Sequence, residues 1–328
     1  MHRAAADIYY QRGADALTGL AARWCRRHGR RFVFALAHDE NCDPHMARLC
    51  GRVERRLYRY GLTRAHVILA QTRHQQALLR SGFDLPASVV PSCCTASPRC
   101  HGQSPGCHGQ AQRRHADVGR VIDPTTAAPD SPIRCRILWV GRLSEEKRPE
   151  WILQLARDLP DLDFTAVGRC NAGSSYGRRL TEQLASCPNV THHDHILHNR
   201  MPDLFRRADL LCCTSASEGF PNVFLEAWTS GTPVLSTVDP DGIIVTHRLG
   251  EVVGSLEQMT QRLRGVSADR QTWRDHGRAA QRYVRENHSV AATVDALLDA
   301  LWPTAPTSRE RNASGPAARP TAHRVYAP

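Results

Sequence analysis

RILWVGRLSEEKRPEWILQLARDLPDLDFTAV, residues 136–167, reads as a strand, a turn, a helix and a second strand. The apolar run 137–140 has strand length, Gly141 breaks it, the spacing over 149–158 suits a helix with Pro149 at its start, and 163–167 is again a strand. The rhythm continues downstream: helix 177–185, strand 190–193, helix 201–207, strand 210–213, helix 221–230, strand 233–237, then helices 256–263, 271–286 and 290–301. Upstream, strands 7–10, 31–37, 65–71 and 87–90 alternate with helices 14–27, 46–60 and 73–81. Alternation of this kind predicts an α/β fold of two Rossmann-like domains, each a mostly parallel sheet covered by helices. The second, over 133–302, reads as complete; the first, over 1–90, reads as partial.

Between them, residues 91–132 fill with Ser, Pro, Gly, Gln, Cys and His and repeat Cys-His-Gly-Gln at 100–103 and 107–110, the composition of a linker or insertion. Cys93, Cys94, Cys100, His101, Cys107 and His108 invite a zinc reading, but their spacing is none of the usual paired ones, and a connector is the expectation. Residues 303–328 hold almost no large apolar side chains and read as a disordered tail.

The net charge is +11, and residues 1–90 contain 15 arginines against 7 acidic residues. Such a basic half faces nucleic acid, an anionic lipid surface or a phosphorylated substrate, or reflects only a compositional preference for arginine. No apolar run reaches the length of a membrane-spanning helix, and the arginines and aspartate near Met1 leave no room for a signal core, so the expected location is the cytoplasm. The 12 cysteines are read as reduced, with Cys135, Cys212 and Cys213 in apolar runs serving as small core residues.

Two stretches carry candidate chemistry. In Val140-Gly-Arg-Leu-Ser-Glu-Glu-Lys-Arg-Pro, a strand ends at Gly141 and a helix begins near Pro149, so the turn between them suits a phosphate cradle with Arg142 and Lys147 as fixed cations. Lys147 is the only lysine in a chain that otherwise uses arginine for positive charge. A compact ammonium meets a phosphate oxygen as a point charge, where guanidinium imposes a planar fork. The second stretch, Ser217 to Pro233, follows strand 210–213 and places Glu218 in a loop beside Gly219, with Glu226 inside the next helix. A loop carboxylate beside helix-start amides suits sugar hydroxyls and a diphosphate, and the deeper one suits a ribose. Taken alone, the glutamate pair reads rather as ordinary surface charge.

Together, Glu218-Gly-Phe-Pro to Glu226, the upstream Val140-Gly-Arg-Leu-Ser-Glu-Glu-Lys and the downstream Gly231-Thr-Pro-Val resemble the retaining family 4 (group 1) glycosyltransferases of GT-B fold. The resemblance covers residues 133–301 and, more weakly, 6–91. It implies that Arg142 and Lys147, beside Gly141, bind the donor diphosphate, that Glu218 and the backbone of Gly219, Phe220 and Pro221 with Asn222 grip the donor sugar, and that Glu226 holds the ribose. It implies that His38, after strand 31–37, faces that sugar. It also implies a UDP- or GDP-sugar as donor, a lipid-linked, polysaccharide or small-molecule acceptor, transfer with retention, and no bound metal or cofactor. The family's first strand and glycine-rich loop have no counterpart here, so the first domain is expected to be incomplete. The second motif, Val167-Gly-Arg-Cys-Asn-Ala-Gly, lacks the family's tighter glycine turn. Two other readings stand beside this one: a nucleotide-sugar-binding remnant without activity, and a basic nucleic-acid-binding protein, for which no recognised module is present. Glycoside hydrolysis fits less well, since both glutamates are assigned to holding the donor.

Overall fold

The computed structural model describes residues 5–46, 49, 51–94, 134–171 and 173–303. The expected connector beyond residue 94, four of the six zinc-reading residues (Cys100, His101, Cys107 and His108) and the expected tail beyond 303 lie outside them.

The first half runs β1 (Ile8–Arg12), α1 (Ala16–Arg27), β2 (Arg31–Ala35), α2 (Arg52–Arg64), β3 (Val67–Ala70), α3 (Arg73–Phe83) and β4 (Ser88–Val89). Its strands pair in chain order, all parallel. The second half runs β5 (Arg136–Val140), α4 (Glu150–Asp158), β6 (Asp163–Val167), α5 (Ser175–Ser186), β7 (Val190–His193), α6 (Met201–Arg207) and β8 (Leu210–Cys213). It continues with α7 (Asn222–Thr229), β9 (Val234–Ser236), α8 (Ile243–His247), β10 (Gly250–Val252), α9 (Leu256–Gly265), α10 (Arg270–Asn287) and α11 (Val290–Leu301).

The second sheet has the order β10-β9-β8-β5-β6-β7 and is parallel throughout. Chain order therefore reverses between β5 and β8. In open α/β sheets the loops leaving the strands diverge at such a point and open a ligand crevice. The two loops that leave it here, 141–149 and 214–221, are the two stretches singled out for chemistry.

Central parallel strands have both faces covered, which is why β8, Leu-Leu-Cys-Cys, is buried at every position. Cys135, Cys212 and Cys213 are core residues, as expected. Trp228 and Phe224 of α7 are fully buried on one face of the sheet; Trp139, Leu155 and Phe164 fill the other.

Three expectations need correction. The helix read at 46–60 begins at Arg52, because residues 39–42 form a 3₁₀ turn, Met46 takes a left-handed φ of 53° and Gly51 is the N-cap. Pro221, read inside the first turn of its helix, stands before it as an extended N-cap with ψ 112°. The short α8 and β10 have no counterpart in the sequence reading.

Helix α11, in the sequence the last helix of the second domain, returns to the first sheet. Leu301 packs with Val33, Ala35 and Leu69, and its carbonyl accepts from Arg31 at 2.7 Å. The chain crosses between halves beside His288, whose Nδ1–H donates to the Ser92 carbonyl at 2.7 Å while the ring tilts against Phe220 and Tyr283. Burial holds the His288 pKa below its ordinary value, partly offset by the Ser92 carbonyl. His66 and His193 are lowered too, chiefly by burial. A lowered histidine pKa means that the fold prefers the neutral ring. The stability this gives is complete above the unfolded value of about 6.5 and is lost as pH falls through the folded values. The melting midpoint is therefore expected to be level above pH ~7 and to drop as pH falls below about 6.5. His288→Asn, which keeps a donor toward Ser92 and cannot charge, should flatten part of that acid limb; an unchanged acid limb would show that His288 does not contribute to it.

Candidate active site

The loop after β5 is bound to the loop after β8 by main-chain contacts. Ala216 N–H donates to the Glu146 carbonyl at 2.8 Å, and the Thr214 hydroxyl donates to the Lys147 carbonyl at 2.6 Å while accepting from Trp139 Nε1 at 3.0 Å. Arg148 adds the tightest tie: Nε and Nη2 donate to the Thr214 and Ser215 carbonyls at 2.6 and 2.8 Å, and its guanidinium lies 4.2 Å from the Trp151 ring centroid. To reach them Arg148 takes a left-handed φ of 46°. A non-glycine residue at positive φ is uncommon, and here the surrounding bonds hold it there.

This bracing aims Lys147 at Glu218. The ammonium and the carboxylate form a close ion pair, with side chains 19% and 12% exposed, and Glu218 also accepts from the Ser215 hydroxyl at 2.6 Å. Charges so little solvated interact far more strongly than surface pairs. Beside them α7 begins without any side-chain cap, so the Asn222 and Val223 amides at its start are available to an anion, while the Phe224 amide is bound to the Pro221 carbonyl.

The first half closes over this point. His38 Nε2 lies 2.8 Å from Glu146 Oε1, and Nδ1 sits 3.4 Å from the Glu40 amide, which leaves Nε2 to donate to the carboxylate. A Cβ on Gly219 would come within 2.5 Å of Gln75 Nε2 and 3.3 Å of the Ala37 carbonyl, so the halves touch closely here and a larger residue would have to displace the Gln75 side-chain amide. Asp241 of the second half accepts the Arg73 and His74 amides at 2.7 and 2.9 Å and so caps the start of α3 across the boundary. Burial pushes the Asp39 carboxyl up, partly offset by Gln75 and His74.

The sequence-selected residues thus separate into groups. Lys147, Glu218 and Gly219 meet, and His38 joins them through Glu146. Gly141 lies at the end of β5, where an added Cβ would be 3.7 Å from Lys147 Cγ. Arg142 is exposed and among the described residues forms no ion pair. The Phe220 side chain belongs to the core against Trp228, and Pro221 is buried; neither lines the cavity beside Glu218. Asn222 and Glu226 line a different and larger cleft of about 1620 Å³, whereas Glu218 and Gly219 line a cavity of about 460 Å³. Burial raises the Glu226 carboxyl, with His198 pulling the other way. Sequence reasoning missed Glu146, Arg148, Thr214 and Asp241; Arg148 lay inside the quoted motif, and its positive φ leaves no trace in composition. Among the described residues no group of three His, Cys, Asp or Glu side chains is arranged to hold a metal.

Two parallel Rossmann-like sheets meeting over a switch-point crevice define the GT-B class of fold. Residues 134–269 match the family described as "Glycosyl transferases group 1". The chain is also similar to a D-inositol 3-phosphate glycosyltransferase of Mycobacterium tuberculosis, 32% identical over 189 residues. That alignment takes in 52% of this chain and 38% of the relative, so the chain matches well under half of the relative's length. Among solved structures, the sucrose-phosphate synthase of Thermosynechococcus elongatus superposes with a TM-score of 0.66 at 16% identity, covering 89% of this chain and 71% of that one. An E. coli trehalose-6-phosphate structure bound with UDP-2-fluoro glucose gives 0.66 at 12% identity, covering 91% and 74%. At these identities the structural likeness establishes the fold.

Proposed function

We propose that this chain is a retaining, family 4 glycosyltransferase that moves a sugar from a UDP- or GDP-sugar to an acceptor hydroxyl. The observation that carries the reading is the Lys147–Glu218 pair, held at the sheet's switch point beside the uncapped start of α7. The family match over 134–269 and a fold neighbour holding UDP-2-fluoro glucose support it.

In this reading the donor diphosphate replaces Glu218 as the partner of Lys147. As the bond from the sugar to the diphosphate lengthens, negative charge grows on the leaving oxygen and is stabilised by Lys147, with Arg142 swinging in from its exposed position. Glu218, released, accepts hydroxyl protons of the sugar, Glu226 in the large cleft takes the ribose hydroxyls, and the amides of Gly219, Phe220 and Asn222 hold the rest. The acceptor hydroxyl attacks from the face the diphosphate leaves and passes its proton to the departing diphosphate oxygen, which gives retention, while His38 lies over the sugar. We place the enzyme in the cytoplasm, with its basic half against an anionic membrane, because α2 exposes Arg52, Arg55, Arg56 and Arg59 together with Val53.

UDP or GDP is expected to raise the melting midpoint of the full chain, and phosphatidylglycerol vesicles, unlike phosphatidylcholine ones, should pellet it at low salt. If neither nucleotide shifts the midpoint while duplex DNA does, the nucleic-acid reading replaces this one.

A further inference from the structure

The 460 Å³ cavity lies where the two halves meet and shares Glu218 and Gly219 with the donor constellation. Asp39, Thr72 and His74 form its wall from the first half. Glu226 and Asn222, the other donor residues, open into the large cleft instead. A sugar held by Glu218 therefore has nucleotide-binding space on one side and this cavity on the other.

Its electrostatics are one-sided. Four carboxylates (Asp39, Glu218, Asp239 and Asp241) line it, and among the described residues no lysine or arginine does, in a chain with 43 of them. Two of these carboxylates are fixed by main-chain amides: Asp241 by Arg73 and His74, and Asp239 by Ile244 at 2.8 Å. Asp39 lies against the Gln75 side-chain amide, with Oδ2 3.9 Å from His74 Nε2. Carboxylate oxygens accept from hydroxyls and repel phosphate.

We propose that this cavity is the acceptor subsite and that it selects a neutral, hydroxyl-rich acceptor, a sugar or polyol, against a phosphorylated one. The proposal rests on the donor reading above. It separates this chain from the mycobacterial relative, whose name specifies D-inositol 3-phosphate. Selection here is by repulsion: with Lys147 drawn to the donor diphosphate, a phosphate entering the cavity meets four carboxylates and, on the wall, only His74 as a titratable base.

The test uses the full chain with UDP-glucose, UDP-N-acetylglucosamine and GDP-mannose as donors. Acceptors are myo-inositol and methyl α-glucoside against myo-inositol 1-phosphate and glucose 6-phosphate. The neutral acceptors are expected to give a kcat/KM higher by about tenfold or more, the scale of one repulsive charge contact. Ala216→Arg, which puts a cation on the cavity wall at an exposed position, should shift the ratio toward the phosphorylated acceptors. Equal or better use of phosphorylated acceptors by the unmodified chain, or an unchanged ratio in Ala216→Arg, overturns the proposal. So does the absence of transfer to any of the four while UDP or GDP still binds, an outcome that leaves the donor reading standing. If no nucleotide binds, the donor reading falls and takes this inference with it.

Discussion

Lys147→Ala is expected to lower kcat for sugar transfer by about 10²- to 10³-fold, the loss seen when one preorganised charge is removed from a leaving oxyanion. The effect is large because the lysine is held, not merely present. Its carbonyl is bound by Thr214 and the next residue, Arg148, is clamped to the Thr214 and Ser215 carbonyls, so the ammonium arrives at the diphosphate with little to reorganise. Lys147→Arg should recover only part of the rate, since a planar fork does not fit the position of a point charge. Lys147→Ala also leaves Glu218 with only the Ser215 hydroxyl, and an uncompensated buried charge costs stability. Rates are therefore to be measured well below the variant's melting midpoint, with donor binding followed by calorimetry. A variant that is folded at the assay temperature and keeps wild-type kcat would remove Lys147 from the mechanism.

Gly19→Ala is expected to be the most damaging single-methyl change in the first half. Helices α1 and α2 cross with their backbones in near contact: a Cβ on Gly19 would lie 2.3 Å from the Leu57 carbonyl oxygen, and one on Gly61 would lie 2.5 Å from the Thr18 carbonyl. Backbone cannot move aside as a side-chain tip does, so the helices must separate and give up packing around Ala22, Cys25 and Tyr58. The cost is about 3 kcal/mol, the upper part of the range for overpacked cores. Faster hydrogen exchange confined to α1, α2 and the strands beneath them is the expected signature. Gly265→Ala, at the end of α9 with nothing within 4 Å of the added methyl, is the control and should leave stability unchanged. If Gly19→Ala exchanges like the control, the close crossing of the two helices is wrong.

Much of the second domain was legible from its sequence because each strand there is short, apolar and punctuated. The strand read at 210–213 matches β8 residue for residue, as those at 163–167 and 190–193 match β6 and β7. Segments too short for a period to register were not legible. Helix α8 has five residues between left-handed Gly242 and Arg248, and β10 has three residues paired only to β9. The apolar pattern puts the start of the 52–64 helix too early, because it does not reveal where the chain leaves a 3₁₀ turn.

The site divides in the same way. Lys147 stood out as the lone lysine, and Glu218 by its spacing to Glu226 and its neighbour Gly219. That spacing did not show the two glutamates opening into separate cavities: one lies in the loop facing the first half, and the other lies on the flank of α7 turned to the large cleft.

By itself the sequence determined the alternation of elements, the parallel sheets and the two loops that bear the chemistry, since these depend on patterns within a few residues of each other. Only the tertiary structure decided what meets in space: His38 with Glu146, Arg148 with the Thr214 carbonyl, Asp241 with the start of α3, and α11 beneath the first sheet. Those contacts join positions from 66 to 270 residues apart, and are set by how sheets stack and loops close rather than by any local preference.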